Sequence, residues 1–268
     1  GLMLFFAASI AGRATDPLEA GFAAPPDSAR PLTYWKWPNG NVSEAGIRLD
    51  LEAMRRVGIA GVQLFEVGTG IPKGRLDFTS PEHRRLLQFT ASEAARLGME
   101  FTMHNAPGYS SSGGPWITPE LSMKVLTFTE TPVIGGKNVT RVLPQPEAKL
   151  DFYRDICVLA YPTPGSDTRL ANWKTKAGYP AEKGRPPAES ANGPIIPAID
   201  PARIIDLTSA MDGQGRLTWN APAGEWTVLR LGYTTTGVEN FPAPDGGSGL
   251  ECDKFSRAAI EFHFKQYF

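Results

Sequence analysis

The hydrophobic pattern changes character once along the chain. Up to about residue 123, short apolar runs alternate with amphipathic stretches. Leu32-Thr33-Tyr34-Trp35 reads as a strand that leaves through Lys36-Trp37-Pro38-Asn39-Gly40-Asn41. Ser43 suits an N-cap, and 44–57 puts Ile47, Leu51, Met54 and Val57 on one helical face before Gly58 ends it. A second strand is predicted over 59–65, leaving through Glu66-Val67-Gly68. Ser80-Pro81-Glu82 opens a second helix, Ser as cap and Pro at the first position, which runs to Leu97 and closes at Gly98. A third strand follows over 99–103 and exits into His104-Asn105-Ala106-Pro107-Gly108-Tyr109. Strands separated by helices, about 30 to 40 residues per unit, predict parallel βαβ units with right-handed crossovers.

From residue 124 the runs become short and alternating: 124–130, 139–142, 156–161, 204–206, 216–220 and 227–233. Pro- and Gly-rich turns separate them, notably over 178–201, and Trp226 follows one such turn. This predicts an all-β, sandwich-like insertion over 124–233. A loop then leads to a helical pattern over 250–268, with Phe255, Ala259, Phe262 and Phe268 aligned. The predicted fold class is α/β: the start of a (β/α)8 TIM-type barrel interrupted by a β insertion. No G-x-G-x-x-G follows the first strand, which disfavours a dinucleotide-binding sheet. A barrel takes about 250 residues without insertions, so this one is expected not to close within 268 residues, and the chain is expected to be truncated at its C-terminus. The implied organisation is a partial signal peptide (1–14), three β/α units (15–123), the β insertion (124–233) and a return to the barrel (234–268).

Composition narrows the function. The net charge of −1 points to neither nucleic acid nor an anionic membrane surface. The apolar run from Leu2 to Gly12 resembles the core of a signal peptide and is too short to span a bilayer. Export to the periplasm or the exterior is therefore expected, with the chain beginning inside its leader. The two cysteines, Cys157 and Cys252, lie far apart and neither forms a C-x-x-C pair, so zinc and redox readings are weak. Whether they pair is not legible. Trp35, Trp37 and Trp116 lie beside Pro/Gly segments, where a tryptophan serves a sugar face or the core.

The predicted strand ends deliver polar groups to one expected face: Trp35, Trp37, Asn39 and Asn41, then Glu66, then His104 and Asn105. In α/β folds ligands are held at that face. Each residue has a plainer alternative. Glu66 reads as a pocket-rim or a solvated carboxylate, His104 as a site group or a loop tie, Asn105 as a sugar contact or a turn former. Glu251 and Asp253 read as helix caps, site groups or oxygen ligands for a hard cation. Ser110-Ser111-Ser112 lies outside any G-x-S-x-G elbow and reads as loop hydroxyls. His83 and His263 fall on helical patterns and read as structural or surface residues.

Three segments taken together are more specific: Trp35-Lys36-Trp37-Pro38-Asn39-Gly40-Asn41-Val42, Gly61-Val62-Gln63-Leu64-Phe65-Glu66-Val67-Gly68, and the run from His104 to Trp116. With Gly232-Tyr233-Thr234-Thr235-Thr236-Gly237 and Gly249-Leu250-Glu251-Cys252-Asp253-Lys254, they resemble the N-terminal part of glycoside hydrolase family 106, the α-L-rhamnosidases, over about residues 20–268. Lys36 stands where the resemblance leads one to expect His. The resemblance implies a barrel with β insertions, inverting hydrolysis of terminal α-L-rhamnosyl bonds in plant or microbial glycans, and a calcium-assisted site. The implied partner is a rhamnose-containing oligosaccharide or polysaccharide. It also implies that the principal catalytic carboxylates lie beyond Phe268. Trp35, Trp37, Asn41, Glu66, His104, Asn105, Glu251 and Asp253 are then candidates for substrate contact, and no metal ligand is assigned. The alternatives are a non-catalytic carbohydrate-binding protein on a degenerate barrel and a hydrolase of another deoxysugar.

Overall fold

The computed structural model describes residues 16–109, 112–165 and 199–268. The leader-like segment 1–14, Ser110 and Ser111, and nearly all of the Pro/Gly-rich stretch 178–201 lie outside the described residues. The chain is mixed α/β and divides into two compact units, Gly1–Ile117 with Glu239–Phe268, and Thr118–Val238. Among the described residues no helix is long and apolar enough to cross a membrane.

The first unit is built on a parallel sheet in the order β1 (Leu32–Pro38), β2 (Gly61–Val67), β3 (Glu100–Met103). Helices α2 (Glu44–Arg56) and α3 (Pro81–Arg96) connect the strands. Their N-caps are Ser43 and Ser80, whose hydroxyls accept from the backbone N–H of Gly46 and His83. Ahead of β1 the chain holds a short helix, α1 (Pro17–Ala23), capped by the Asp16 carboxylate.

Strand parity divides the side chains of this sheet. Successive residues of a strand point to opposite faces, and in-register partners of a parallel pair share a face. Trp35 pairs with Leu64, Leu64 with Met103, and Trp37 with Glu66. Trp35, Trp37, Val62 and Leu64 pack with Ile47 and Leu51 of α2 and Leu86 of α3 in one buried cluster. That face is therefore the helix-covered one. Two expectations are corrected here. Trp35 and Trp37 are core residues and offer no sugar-stacking surface, because parity turns them under the helices. Glu66 is the sixth residue of β2 and lies inside the strand, facing the helix layer rather than a loop rim.

The helical pattern predicted from residue 250 starts later. Helix α4 runs Arg257–Tyr267 with Ser256 as its cap, and Leu250 forms a β-bridge to Glu239. Glu251 and Asp253 therefore do not cap a helix. Asp253 accepts from the backbone N–H of Phe255 at 3.0 Å, and Glu251 pairs with Lys254 at 3.3 Å.

The second unit contains a sheet ordered β4 (Lys124–Ile134), β9 (Glu225–Thr235), β6 (Arg154–Pro162), β7 (Ile205–Asp206), and a two-stranded sheet of β5 (Lys137–Val142) and β8 (Arg216–Ala221). It extends beyond 124–233 because β4 and β9 pair antiparallel from Lys124↔Thr235 to Ile134↔Glu225. Its core holds Val133, Val158, Leu217, Trp219, Trp226 and Val228. Trp219 and Trp226 meet edge to face at 5.4 Å, and Trp226 Nε1 donates to the Pro222 carbonyl at 2.9 Å. Beside this core, Arg230 forks onto Asp155 with bonds of 2.8 and 2.9 Å and donates a third to the Leu143 carbonyl at 3.0 Å.

The Arg230 guanidinium, helped by the Tyr153 hydroxyl, holds the Asp155 carboxyl below the usual carboxylate range. A depressed native pKa contributes stability above the unfolded value of about 3.9, and that contribution is lost as pH falls through the native value. The β unit is thus expected to melt at progressively lower temperature as pH drops below about 4, with Asp155→Asn flattening the dependence. Tryptophan fluorescence melts from pH 2.5 to 6 measure it; equal slopes in the two proteins would remove the pair from the account.

Candidate active-site face of the parallel sheet

The C-terminal ends of β1, β2 and β3 are tied down by asparagine and histidine bonds to distant loops. Asn39 takes a left-handed backbone (φ 47°), followed by Gly40 at φ 74°. A Cβ on Gly40 would stand 2.3 Å from the Leu76 carbonyl oxygen, so only glycine lets these two backbone segments close up. Buried Asn39 donates to the Ile71 carbonyl at 2.7 Å and accepts from the Asp245 N–H at 2.8 Å. Asn240, also buried, donates to the Pro107 and Gly247 carbonyls and accepts from Gly249 N–H. The sequence places Asn39 among the polar groups of this face, with the Asn-Gly step at 39–40 as its signal, while nothing in it marks Asn240.

On the helix-covered face, the buried Glu66 carboxylate (5% exposed) receives Nε2 of His83 (2% exposed) at 3.0 and 2.9 Å on its two oxygens. Trp37, Asn39, Phe78 and Asp245 surround a cavity of about 10 Å³ beside the pair, room for about one water. His83 Nδ1 and Trp37 Nε1 are buried there without a protein partner. Helix α3 supplies His83 from its first turn, so the carboxylate is held at a helix N-terminus, the favourable end of the dipole. This arrangement anchors strand to helix and is too enclosed to admit a sugar.

The opposite face carries different chemistry. Lys36 is in register with Phe65, and His104 follows the last paired residue of β3 on the same side. Phe65 meets His104 at 4.8 Å, Tyr109 at 5.4 Å and Tyr34 at 4.9 Å between ring centroids. Lys36 Nζ lies 5.7 Å from the Tyr109 ring centroid. Tyr34 (71%) and Tyr109 (52%) are exposed, and His104 Nδ1 is buried without a partner.

The predicted residues therefore do not share a face. His104 lies on the open one; Trp35, Trp37 and Glu66 lie under the helices. Asn41 spends its amide on the Pro38 and Pro72 carbonyls. The Asn105 carbonyl accepts from His263 Nε2 at 2.7 Å, while Trp116 Nε1 donates to His263 Nδ1 at 3.1 Å. Because one ring nitrogen accepts, the other carries the hydrogen, which makes this a neutral histidine; burial pushes its pKa down. Tyr267, on the same helix, donates to the His104 carbonyl at 3.2 Å. Burial and the Glu66 charge push its phenol up. Of the two sequence readings of His263, structural or surface, the structural one holds; its partners lie 147 and 158 residues away.

The α-L-rhamnosidase family model of glycoside hydrolases matches residues 23–163 and 149–268. A curated protein of Formosa agariphila, named "Putative beta-glucuronidase", is 46% identical over 253 residues, which is 92% of this chain and 21% of that protein. A solved rhamnosidase from Novosphingobium sp. PP1Y superposes with a TM-score of 0.75 at 26% identity, covering 94% of this chain and 37% of that one. The chain belongs to glycoside hydrolase family 106, the α-L-rhamnosidase family. It spans about a fifth of the length of the curated relative.

Two outcomes are expected. Glu66→Gln and His83→Phe, combined in a double-mutant cycle by chemical denaturation, should show a coupling of about 1–3 kcal/mol; a coupling near zero would mean the pair adds nothing. His263 should keep its Nε2–H tautomer in ¹⁵N spectra well below pH 6.5, and stability should fall as pH drops from about 6.5 toward its lowered native value. Protonation of His263 at the model-compound pH would contradict this.

Proposed function

We propose that this chain supplies the first three β/α units of a (β/α)8 barrel in an exported, inverting α-L-rhamnosidase, with the β unit inserted in the third strand-to-helix connection. The observation that carries the reading is the family match running in order through both units. The parallel order β1-β2-β3 with α2 and α3 between the strands supports it. Export rests on the apolar leader-like residues alone.

Inverting hydrolysis uses an acid at the leaving oxygen and a carboxylate that activates water, about 6.5–9.5 Å apart. Glu66 is engaged with His83 under the helices, so neither role falls to it. The catalytic carboxylates are proposed to come from further barrel strands. Calcium takes about six to eight oxygen ligands. Among the described residues no group of three His, Cys, Asp and Glu side chains gathers, so these residues alone do not fit a calcium cage and carry no calcium-dependent step. Glu251 and Asp253 are held in the local contacts already described.

The "Putative beta-glucuronidase" name of the 46% identical relative favours a second reading, hydrolysis of a glucuronoside. The test is sugar release by the full-length protein from aryl α-L-rhamnoside and aryl β-D-glucuronide, with the product anomer followed by NMR. Rhamnose released as the inverted anomer is expected, and residues 1–268 alone should release none. No release from several rhamnosides would overturn the proposal.

A further inference from the structure

Two side chains one helical turn apart hold the chain where it leaves β3. His263 and Tyr267 stand at i and i+4 of α4 and share one face of that helix. His263 Nε2 donates to the Asn105 carbonyl at 2.7 Å, and the Tyr267 hydroxyl donates to the His104 carbonyl at 3.2 Å. Two consecutive carbonyls are thus gripped from one helix. The grip is itself braced: Trp116 Nε1 donates to His263 Nδ1 at 3.1 Å, and the His263 and Tyr267 rings stack at 6.0 Å with 11° between their planes. His263 is fully enclosed and Tyr267 is buried, so residues of the first unit alone close this arrangement. The plain role of such ties is to satisfy loop backbone groups. What sets this pair apart is the peptide it holds. The His104 N–H donates to the Leu64 carbonyl at 3.1 Å, so both peptide groups that flank His104 are pinned, one to β2 and one to α4. The His104 side chain turns to the face away from the helices, with its ring 4.8 Å from that of Phe65.

We propose that His263 and Tyr267 are positioning residues for the glycosidase site: they set the backbone at His104 and so aim its imidazole at the sugar held inside the barrel. The inference deepens the rhamnosidase reading and rests on it, because in a (β/α)8 barrel the C-terminal ends of the strands carry the groups that meet substrate. Neither residue touches the sugar. Their bonds end on the main chain, and their effect passes through the direction of the His104 side chain. A displacement of about 1 Å at a substrate-positioning group can cost about a hundredfold in rate, so one hydroxyl on α4 is enough to be felt at the reacting centre.

Aryl α-L-rhamnoside turnover by the full-length protein tests this in two backgrounds. Tyr267→Phe removes one hydroxyl and keeps the ring. In the otherwise native protein it is expected to lower kcat/KM about tenfold. In a His104→Ala background the same change is expected to alter kcat/KM by less than about twofold, since a residue that acts through His104 has nothing left to aim. His263→Gln, whose amide can still accept from Trp116 and donate to Asn105, should stay close to the native rate, and His263→Leu should fall with Tyr267→Phe. Calorimetric titration with L-rhamnose makes the same comparison where His104→Ala turns over too slowly to follow. Equal losses in both backgrounds would mean that α4 acts through stability alone and would overturn the inference, as would a native kcat/KM in Tyr267→Phe. The two failures are distinct: rhamnoside turnover with equal losses removes this inference alone, while no rhamnoside turnover by the unmutated protein removes the reading beneath it.

Discussion

A strand lying under a layer of helices turns every second residue toward them, and the chemistry of the first unit follows from that parity. Trp35 and Trp37 are two apart, so both enter the core cluster. The register Trp37↔Glu66 then fixes Glu66 beneath the helices as well. An unpaired carboxylate there would cost several kcal/mol. His83, presented by the first turn of α3, removes that cost with bonds to both oxygens. The same parity leaves Tyr34, Lys36, Phe65 and His104 on the open side. A one-residue slip of β1 would exchange the two sets, so the bulky tryptophans enforce both the core and the composition of the open face.

The irregular segments above the strands depend on a second constraint. Buried loops need partners for their backbone groups, and here side chains supply them. Asn39 and Asn240 each bridge segments far apart in sequence, while His263 accepts and donates between Trp116 and Asn105. Each tie uses a side chain that both donates and accepts, which explains why amides and a neutral imidazole occupy these positions and charged residues do not.

Much of the fold was legible because it is local. Strands β1 and β3, the Ser43 and Ser80 caps and helices α2 and α3 stand within a few residues of their predicted bounds, since caps, glycine stops and helical periodicity act over single turns. The mixed α/β class and the family resemblance were legible for the same reason, carried by short contiguous motifs. The site was less legible. Motifs beside Pro and Gly suggested loop-borne tryptophans, whereas β1 continues to Pro38 and β2 to Val67. Two or three extra strand residues turn Trp37 and Glu66 inward. The Glu66–His83 and Trp116–His263 contacts join separate elements, and nothing in a linear pattern marks such pairs. Conversely, the open row at Lys36 and Phe65 emerges only once register is known.

The placement of the β unit is itself constrained. It enters the chain between β3 and α4, so α4 reaches Asn105 from 158 residues away. Closing so long a flexible loop would be entropically unfavourable. The β unit shortens the connection by its own pairing. Lys124 and Thr235 are direct neighbours across β4 and β9, so its two ends leave from one place. What the first unit must close is then the short lead from Trp116 to Lys124 and the return from Thr235 to Asn240, each held by local bonds. In the folded chain α4 contacts His104 and Asn105 across the insertion. This makes a strand-to-helix connection a tolerant place to add a folded unit.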